Sequence, residues 1–369
     1  MLEVADIFRL HGESFRATQA LGRDRLRAMA DIEHCRTAYF GGHLERCDHC
    51  AHEHYSYHSC RNRHCPKCHG DQTQGWLEKQ QSRLLPGDYY LLTFTLPSSL
   101  RRLARAHPRE IYGLLMTRAV ASLQKLVRDP QWLGAPVPVL AVLHTWTRAL
   151  LFHPHVHLLV PAGGLSADGT WLTARHSAFL VPGYALSRIF RAKFKAALKR
   201  LGRFQPNDPC WKQNWHVHYR HGGSGHAGSG RKVLDYLARY VFRVALVNSR
   251  LESLHEGHVT FRYRDNRTQQ LRHVTLPAQE FIERFLQHVL TKGFVKVRTY
   301  GLWSATQQQR LAQLQVQLAP PAPALQTSPQ HEPNPSLSPS IPEPARCPKC
   351  KLGHMIFILD ILPQRPRAP

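Results

Sequence analysis

The chain has 369 residues, enough for two or three domains with their own cores. Its 49 Lys and Arg against 25 Asp and Glu give a formal net charge of +24, which indicates a polyanionic partner, most often nucleic acid. No apolar run reaches the ~20 residues of a membrane helix, and the first residues lack the layout of a signal peptide, so we expect a cytoplasmic protein. Nine cysteines in a reducing compartment then indicate metal ligands rather than disulfides.

The predicted elements run from a helical start through a Cys- and His-rich segment into a mixed core. Strands are expected over 89–96, 137–148 and 150–160, with one long helix over 98–128 between the first two. Later come a basic helix, a short strand near Trp215, a helix over 232–244, a hairpin, and a helix from Pro277 to Leu290. The order of these elements predicts an antiparallel α+β sheet. The expected divisions are 1–34 (helical), 35–75 (Cys-rich module), 86–303 (catalytic domain), 317–345 (Pro/Gln/Ser-rich disordered linker) and 346–369 (tail).

Two Cys-x-x-Cys pairs in the Cys-rich segment predict a structural zinc site. Cys47 and Cys50 form one pair, Cys65 and Cys68 the other, with fourteen residues between them. Each pair supplies two thiolates, and two pairs complete a tetrahedron with no open position. We therefore expect a zinc-ribbon-like module that holds Zn²⁺ structurally.

Other residues near this module have less specific signals. Cys35, Cys60 and His64 either complete a second site or pack without a metal. Arg61 and Arg63 stand beside the second pair and suit phosphate contact. Cys347 and Cys350 form a further pair in the tail, but no partner pair is visible in the sequence near them, so we predict no metal there.

A His-x-His pattern in an apolar strand predicts a second kind of metal site. His155 and His157 project to one face of the strand, so both imidazoles can bind one ion. A third ligand is needed: His144 on the preceding strand is one candidate and His153 is its rival. His216 and His218 repeat the spacing, but their short strand lacks apolar flanks, and we expect no metal there. Mg²⁺, Mn²⁺ and Zn²⁺ all suit such ligands.

Tyr236 and Tyr240 are spaced to share one face of a predicted helix. A tyrosine hydroxyl can attack a phosphodiester, and a divalent metal polarises one. Together with the His-x-His strand, the pair predicts an enzyme that cuts single-stranded DNA and stays attached to the cut end. Four basic residues beside the tyrosines are expected to hold a phosphate: Arg231, Lys232, Arg239 and Arg243.

Several motifs in one order resemble the IS91-type transposases, which are rolling-circle enzymes of the HUH (His-hydrophobic-His) endonuclease class. The resemblance rests on SCRNRHCPKC, FTLPSSLR, LHTWTRALLFHPHVHLLVPAGGL, YLARYVFRVALVNSRL and EFIERFLQHVLTKGFVKVRTYGL, and spans most of residues 30–303. It implies an HUH fold, with His155 and His157 as ligands of a catalytic Mg²⁺ or Mn²⁺ and with Tyr236 and Tyr240 as nucleophiles. His144 as the third ligand is not fixed by the resemblance.

The resemblance further implies rolling-circle transposition through a 5′-phosphotyrosine with a free 3′-OH. The implied partners are single-stranded DNA at transposon ends, target DNA and the host replication machinery, which would place the protein at the nucleoid. Two other functions stay open from the residues. HPHVHLLV also fits the pattern of histidine-triad nucleotide hydrolases, and a decayed, non-enzymatic zinc-finger protein would bind DNA without forming an adduct.

Overall fold

A computed structural model describes residues 1–68, 72–176, 179–221, 230–235, 244–265, 267–319 and 345–364, with the side chains of 72, 73 and 221 left out. Within these ranges, none of the helices combines the length and the apolar character needed to cross a bilayer.

The described chain contains both helices and strands. The helices are α1 (Val4–Thr18), α2 (Arg23–Glu33), α3 (Gln72–Gln81), α4 (Arg101–Ala106), α5 (Pro108–Val127), α6 (Gly183–Arg200), α7 (Ala278–Leu286) and α8 (Gln308–Leu318). The strands are β1 (Gly42–Cys47), β2 (Glu53–Tyr57), β3 (Tyr89–Thr95), β4 (Val139–Trp146), β5 (Phe152–Pro161), β6 (Gly163–Leu165), β7 (Trp171–Thr173), β8 (Val217–His221), β9 (Leu251–His255), β10 (His258–Arg264), β11 (Leu271–Pro277), β12 (Val297–Tyr300) and β13 (Met355–Ile361). Residues 230–235 are also helical.

Five strands form the central sheet in the order β12-β4-β5-β3-β8, and every adjacent pair is antiparallel. The aromatic and β-branched content of β3 (YYLLTFT) suits a pleated, buried surface, and the strand forms where the sequence predicts it. The expected antiparallel α+β core is therefore confirmed, with the His-x-His strand β5 at its centre.

The sheet buries both faces because its strands are apolar on both sides. One face, with Phe94, Val156 and Leu158, packs in a core with Leu123 of α5 and Phe190 of α6. The other face carries Leu91, Val142 and Leu159, and the histidines of β4 and β5 lie further along the same face. Its apolar part packs with Val233, Leu234 and Trp303. The histidines thus stand at the end of a buried face, where a polar cavity can open.

The predicted long helix over 98–128 is wrong in one detail, since the chain breaks between α4 and α5. His107, the residue before Pro108, has φ −131° and ψ 59°. The proline ring disfavours helical geometry at the residue before it, and proline itself suits the first position of the next helix.

The N-terminal helices share a core with distant parts of the chain. Phe8 of α1 packs edge-to-face on Phe285 of α7 with ring centroids 5.4 Å apart, in a cluster that also holds Phe261 of β10. An amphipathic helix such as α1 must bury its apolar stripe, and α7 supplies the partner. A separate three-stranded sheet has the order β13-β1-β2, so the tail strand lies beside the N-terminal module.

Candidate metal centre

Three histidines meet on adjacent strands of the central sheet. His144 of β4 is the direct cross-strand partner of His155 of β5, and His157 follows two residues later on the same face. One ring nitrogen from each of the three lies within 4.8 Å of the others. The three residues are called the histidine triad below, a name for this cluster that is distinct from the motif of the histidine-triad hydrolases. His153 is not part of it, so of the two candidates for a third ligand the strand register brings in His144.

Hydrogen bonds fix the orientation of two of these rings. Nδ1 of His155 lies 2.6 Å from the backbone oxygen of His153, which makes Nδ1 the protonated nitrogen and Nε2 the ligand nitrogen. Nδ1 of His157 lies 2.9 Å from Oγ1 of Thr93, its cross-strand partner on β3. Such contacts behind a ligand hold the ring and raise its affinity for metal.

Burial favours the neutral, metal-binding form of His155 and His157. Removal from water lowers the pKa of His155 to about 4 and lowers the pKa of His157 well below its usual range, because a buried imidazolium loses its hydration. His144 is 2% exposed. Three clustered imidazoles are a donor set that fits one divalent ion.

The triad opens into a cavity of about 550 Å³. Its lining is polar and basic beside the triad, and includes Thr95, Arg148, His153, His218 and Arg250. His218 belongs to the second His-x-His pair, and β8 places it opposite Thr93 on the histidine face of the sheet. His218 borders the same cavity as the triad but is not grouped with it. That the second His-x-His pair binds no metal therefore stays a prediction.

Four cysteines form the first thiolate cluster: Cys35, Cys60, Cys65 and Cys68. Sγ of Cys68 lies 3.4 Å from Sγ of Cys35 and 3.5 Å from Sγ of Cys60. Hydrogen bonds within the cluster lower the pKa of Cys35 to about 7 and raise the pKa of Cys60, as expected of sulfurs close enough to share protons. Cys35 and Cys60 therefore complete a site with the second pair, which was one of the two alternatives for them.

The expected grouping of Cys47 and Cys50 with Cys65 and Cys68 is wrong. Cys47 and Cys50 instead meet Cys347 and Cys350 of the tail in a second thiolate cluster. All nine cysteines are described and none is in a disulfide. The regular spacing of the two N-terminal pairs was misleading because β13 brings a third pair beside the first, and a pairing over some 300 residues leaves no local sequence signal.

Two residues predicted from the same segment have other contacts. The guanidinium of Arg63 donates to the backbone oxygens of Phe294 (2.7 Å) and Thr291 (2.9 Å), so it ties the Cys-rich module to the core instead of reaching out for phosphate. His64 is outside both cysteine clusters, and its Nε2 accepts from the backbone N–H of Leu290 at 3.2 Å. Arg61 is exposed, as a phosphate contact requires.

The predicted nucleophile segment is described only at its start. Arg231 and Lys232 are exposed on the helical stretch 230–235, while Tyr236, Arg239, Tyr240 and Arg243 lie outside the described residues. Val233 and Leu234 are buried in the cluster that contains Leu91, Val142 and Leu159, on the histidine face of the sheet. A Cβ on Gly230 would lie 2.7 Å from the ring of Tyr89, so only glycine permits this close approach to β3.

Sequence reasoning missed Thr93. It also expected no metal ligands at Cys347 and Cys350, because the partner pair that the structure brings to them is distant in the sequence. Thr93 is a polar residue in the apolar strand YYLLTFT, a signal that could have marked it. An antiparallel sheet with a His-hydrophobic-His pair on its central strand, joined by a third histidine from the neighbouring strand, defines an HUH-type core. The particular family follows from comparison with known proteins.

A family model described as "Putative transposase" matches residues 139–310, and one described as "Transposase zinc-binding domain", of the IS91 type, matches residues 7–96. The chain is 38% identical to "Putative transposase y4qJ" of Sinorhizobium fredii (strain NBRC 101917 / NGR234), over 96% of this chain and 94% of that one. It is 30% identical to the transposase for insertion sequence element IS801 of Pseudomonas savastanoi pv. phaseolicola, over 68% of this chain and 63% of that one. The chain belongs to the IS91 family of transposases.

Among solved structures, the conjugative relaxase TrwC in complex with OriT DNA is similar at a low level. Its metal-bound form gives a TM-score of 0.28 at 13% identity, over 62% of this chain and 70% of that one. Its metal-free form gives a TM-score of 0.26 at 14% identity, over 62% and 71%. Similarity at this level does not establish a shared activity.

Proposed function

We propose that this transposase cuts and rejoins single-stranded DNA through a covalent 5′-phosphotyrosine, with Tyr236 or Tyr240 as the nucleophile. The observation that supports this most is the histidine triad: three clustered histidines, two with depressed pKa values, at the floor of a basic cavity. Membership of a transposase family argues against a small-nucleotide hydrolase.

His144, His155 and His157 would hold the catalytic ion, which we take to be Mg²⁺ or Mn²⁺. When bound, a divalent ion at such a site supplies Lewis-acid polarisation of a phosphodiester oxygen. Thr93 and the backbone of His153 hold the rings of His157 and His155 in place, so the site is organised before DNA arrives.

The packing of residues 230–235 supports delivery of a tyrosine to this site. Leu234 is buried on the histidine face of the sheet, and Tyr236 follows two residues later. Two residues of chain span at most about 7 Å, so the position of Tyr236 in the sequence suits delivery to this face. Tyr240 is spaced to follow one helical turn later if the helix continues in the way the sequence predicts.

In the proposed reaction, the tyrosine oxygen forms a bond to phosphorus while the bond from phosphorus to the 3′ oxygen breaks. The phenol loses its proton and the 3′ oxygen gains one, so no water or nucleotide is consumed. His153 and His218 line the cavity and are candidates for moving these protons. The second tyrosine allows a second cleavage while the first adduct persists.

The substrate in this proposal is single-stranded DNA at transposon ends and in the target. The net charge of +24 and the arginines that line the cavity suit a phosphate backbone. The free 3′-OH would prime synthesis by the host replication machinery, which would place the protein at the nucleoid. The cysteine clusters would hold structural zinc in a module that helps to recognise an element end.

The test is formation of an SDS-resistant adduct between the purified protein and labelled single-stranded DNA from an element end, with Mg²⁺ or Mn²⁺. We expect the adduct to disappear in the Tyr236→Phe/Tyr240→Phe double variant and in His155→Ala. Tyr184→Phe is the matched control, since Tyr184 is an exposed tyrosine on α6. An adduct that persists in the double variant contradicts the proposal. DNA binding by the wild type without any adduct would support a decayed, binding-only protein.

A further inference from the structure

We propose that Cys47, Cys50, Cys347 and Cys350 form a second structural zinc site, which joins the C-terminal tail to the N-terminal module. Sγ of Cys47 lies 3.7 Å from Sγ of Cys350, and Sγ of Cys50 lies 3.7 Å from Sγ of Cys347. Four Zn–S bonds of about 2.3 Å at tetrahedral angles place the sulfurs about 3.8 Å apart. The cluster therefore has the size of a four-thiolate zinc site.

The backbone of the two cysteine pairs is matched. Ala51, directly after Cys50, has φ 54°, and Lys351, directly after Cys350, has φ 60°. This left-handed geometry is uncommon for residues other than glycine, and here it recurs at the same position of both pairs. Backbone N–H groups point at the sulfurs too, from Cys50 to Cys47 (3.4 Å) and from Gly353 to Cys350 (3.5 Å). N–H donors of this kind stabilise thiolates that bind a metal.

Direct contacts fasten the two pairs to each other. The backbone N–H of His354 donates to Oδ1 of Asp48 (2.8 Å), and the N–H of Asp48 donates to the backbone oxygen of His354 (3.1 Å). A Cβ on Gly353 would collide with Oδ1 of Asp48 and lie 2.7 Å from Sγ of Cys47. The absence of a side chain at Gly353 is thus what lets the tail pair approach the N-terminal pair.

A strand extends the junction beyond the metal ligands. β13 pairs antiparallel with β1, from Cys47 opposite Met355 to Gly42 opposite Ile361. β13 is nevertheless mostly exposed, with Phe357 at 56% and Leu359 at 47%, so burial of its side chains stabilises the pairing little. The apolar cluster at this junction has only three buried residues among those described, Cys47, Cys347 and Met355. So small a cluster needs another source of stability, which a bound metal supplies.

The family model of a zinc-binding domain includes Cys47 and Cys50 but ends at residue 96, and the other family model ends at residue 310, so neither includes the tail cysteines. In this proposal the zinc-binding module is discontinuous in sequence. All four ligands of its first site lie within residues 35–68, whereas its second site takes two ligands from the C-terminal tail. Metal loss at the second site would release the tail while the first site and the histidine triad stay intact.

The test is Co²⁺ substitution of the full-length protein, because thiolate-to-cobalt charge-transfer absorption reports cysteine ligands and is not produced by the histidine triad. We expect charge transfer to saturate at two equivalents per chain, one for each cysteine cluster. Cys347→Ser/Cys350→Ser and Cys47→Ser/Cys50→Ser should each reduce its intensity by about half. Cys210→Ser is the matched control, because Cys210 is a buried cysteine outside both clusters and should leave the spectrum unchanged.

A second measurement uses the wild type and does not depend on the folding of variants. Alkylation of Cys347 and Cys350, followed by peptide mass spectrometry, should be slow in the zinc-loaded protein and rapid after a chelator is added. Unchanged charge transfer in Cys347→Ser/Cys350→Ser, or equal alkylation with and without zinc, overturns the proposal. The proposal would also be overturned if Cys47→Ser/Cys50→Ser reduced the charge-transfer intensity and Cys347→Ser/Cys350→Ser did not. That result would mean that Cys47 and Cys50 bind the metal with other partners.

Discussion

Oγ1 of Thr93 lies 2.9 Å from Nδ1 of His157, and the two residues face each other directly across strands β3 and β5. The contact is short because antiparallel pairing sets the two side chains on one face at neighbouring positions. A ring held in this way cannot rotate away from the triad without losing a hydrogen bond, which makes Thr93 a positioning residue for the metal site.

Thr93→Val should weaken metal binding and DNA cleavage by about 10- to 100-fold, because the isosteric side chain removes the hydrogen bond to His157 and keeps the packing. Thr93→Ser keeps the hydroxyl and should retain most of the affinity. Isothermal titration with Mn²⁺ measures the difference. Equal affinity of the Val and Ser variants would mean that the hydroxyl does not orient the ring.

His144→Ala and His153→Ala separate the two candidates for a third ligand. His144 belongs to the triad and is buried, so its loss should reduce Mn²⁺ affinity by at least tenfold, about 1.4 kcal/mol. His153 contacts Arg101 through Nδ1 at 2.8 Å and is outside the triad. His153→Ala should therefore change the affinity much less, and the reverse order would assign the third ligand to His153.

His288 should make stability depend on pH. It is fully buried, and burial lowers its pKa to about 3, while an unfolded histidine titrates near 6.5. The unfolded state therefore takes up a proton first as the pH falls. The stabilisation is fully present above pH 6.5 and is lost progressively between 6.5 and 3.

The expected loss from this residue is about 2 kcal/mol between pH 7.5 and pH 5. Urea unfolding of the wild type and of His288→Gln at both pH values measures it, and the variant should lose less stability on acidification. The same pH dependence in both proteins would show that His288 does not carry the effect.

Arg63→Ala should mainly lower the stability of the protein, whereas Arg61→Ala should mainly weaken its binding to DNA. Arg63→Ala leaves the carbonyl oxygens of Thr291 and Phe294 without their charged donor and should destabilise the protein by about 2–3 kcal/mol. Arg61→Ala should leave stability nearly unchanged, because the side chain is exposed, but weaken DNA binding. It should also reduce the salt dependence of DNA binding by about one phosphate contact. Thermal unfolding and salt-dependent binding of single-stranded DNA distinguish the two outcomes.

Local pattern in the sequence was sufficient for the His-x-His strand and for four of the five strands of the central sheet, and β12 was not predicted. Side chains alternate across a strand, so the spacing of His155 and His157 already places both rings on one face. The apolar content of β3, β4 and β5 likewise predicts strands close to where they form. The break at His107 was not predicted, although Pro108 is a local signal that disfavours helical geometry at the preceding residue.

Only the tertiary structure decided which distant residues meet. The register of β4 against β5 selects His144 over His153, and the β3–β5 register brings in Thr93. Cys47 and Cys50 pair with cysteines 300 residues away, against the expectation from their spacing to Cys65 and Cys68. The sequence by itself identified the His-x-His strand and the N-terminal Cys-x-x-Cys pairs as candidate metal ligands, because that follows from residue type and local spacing. The tertiary structure decided how these residues are grouped. Strand register, and contacts between residues far apart in the sequence, depend on the packing of the whole molecule.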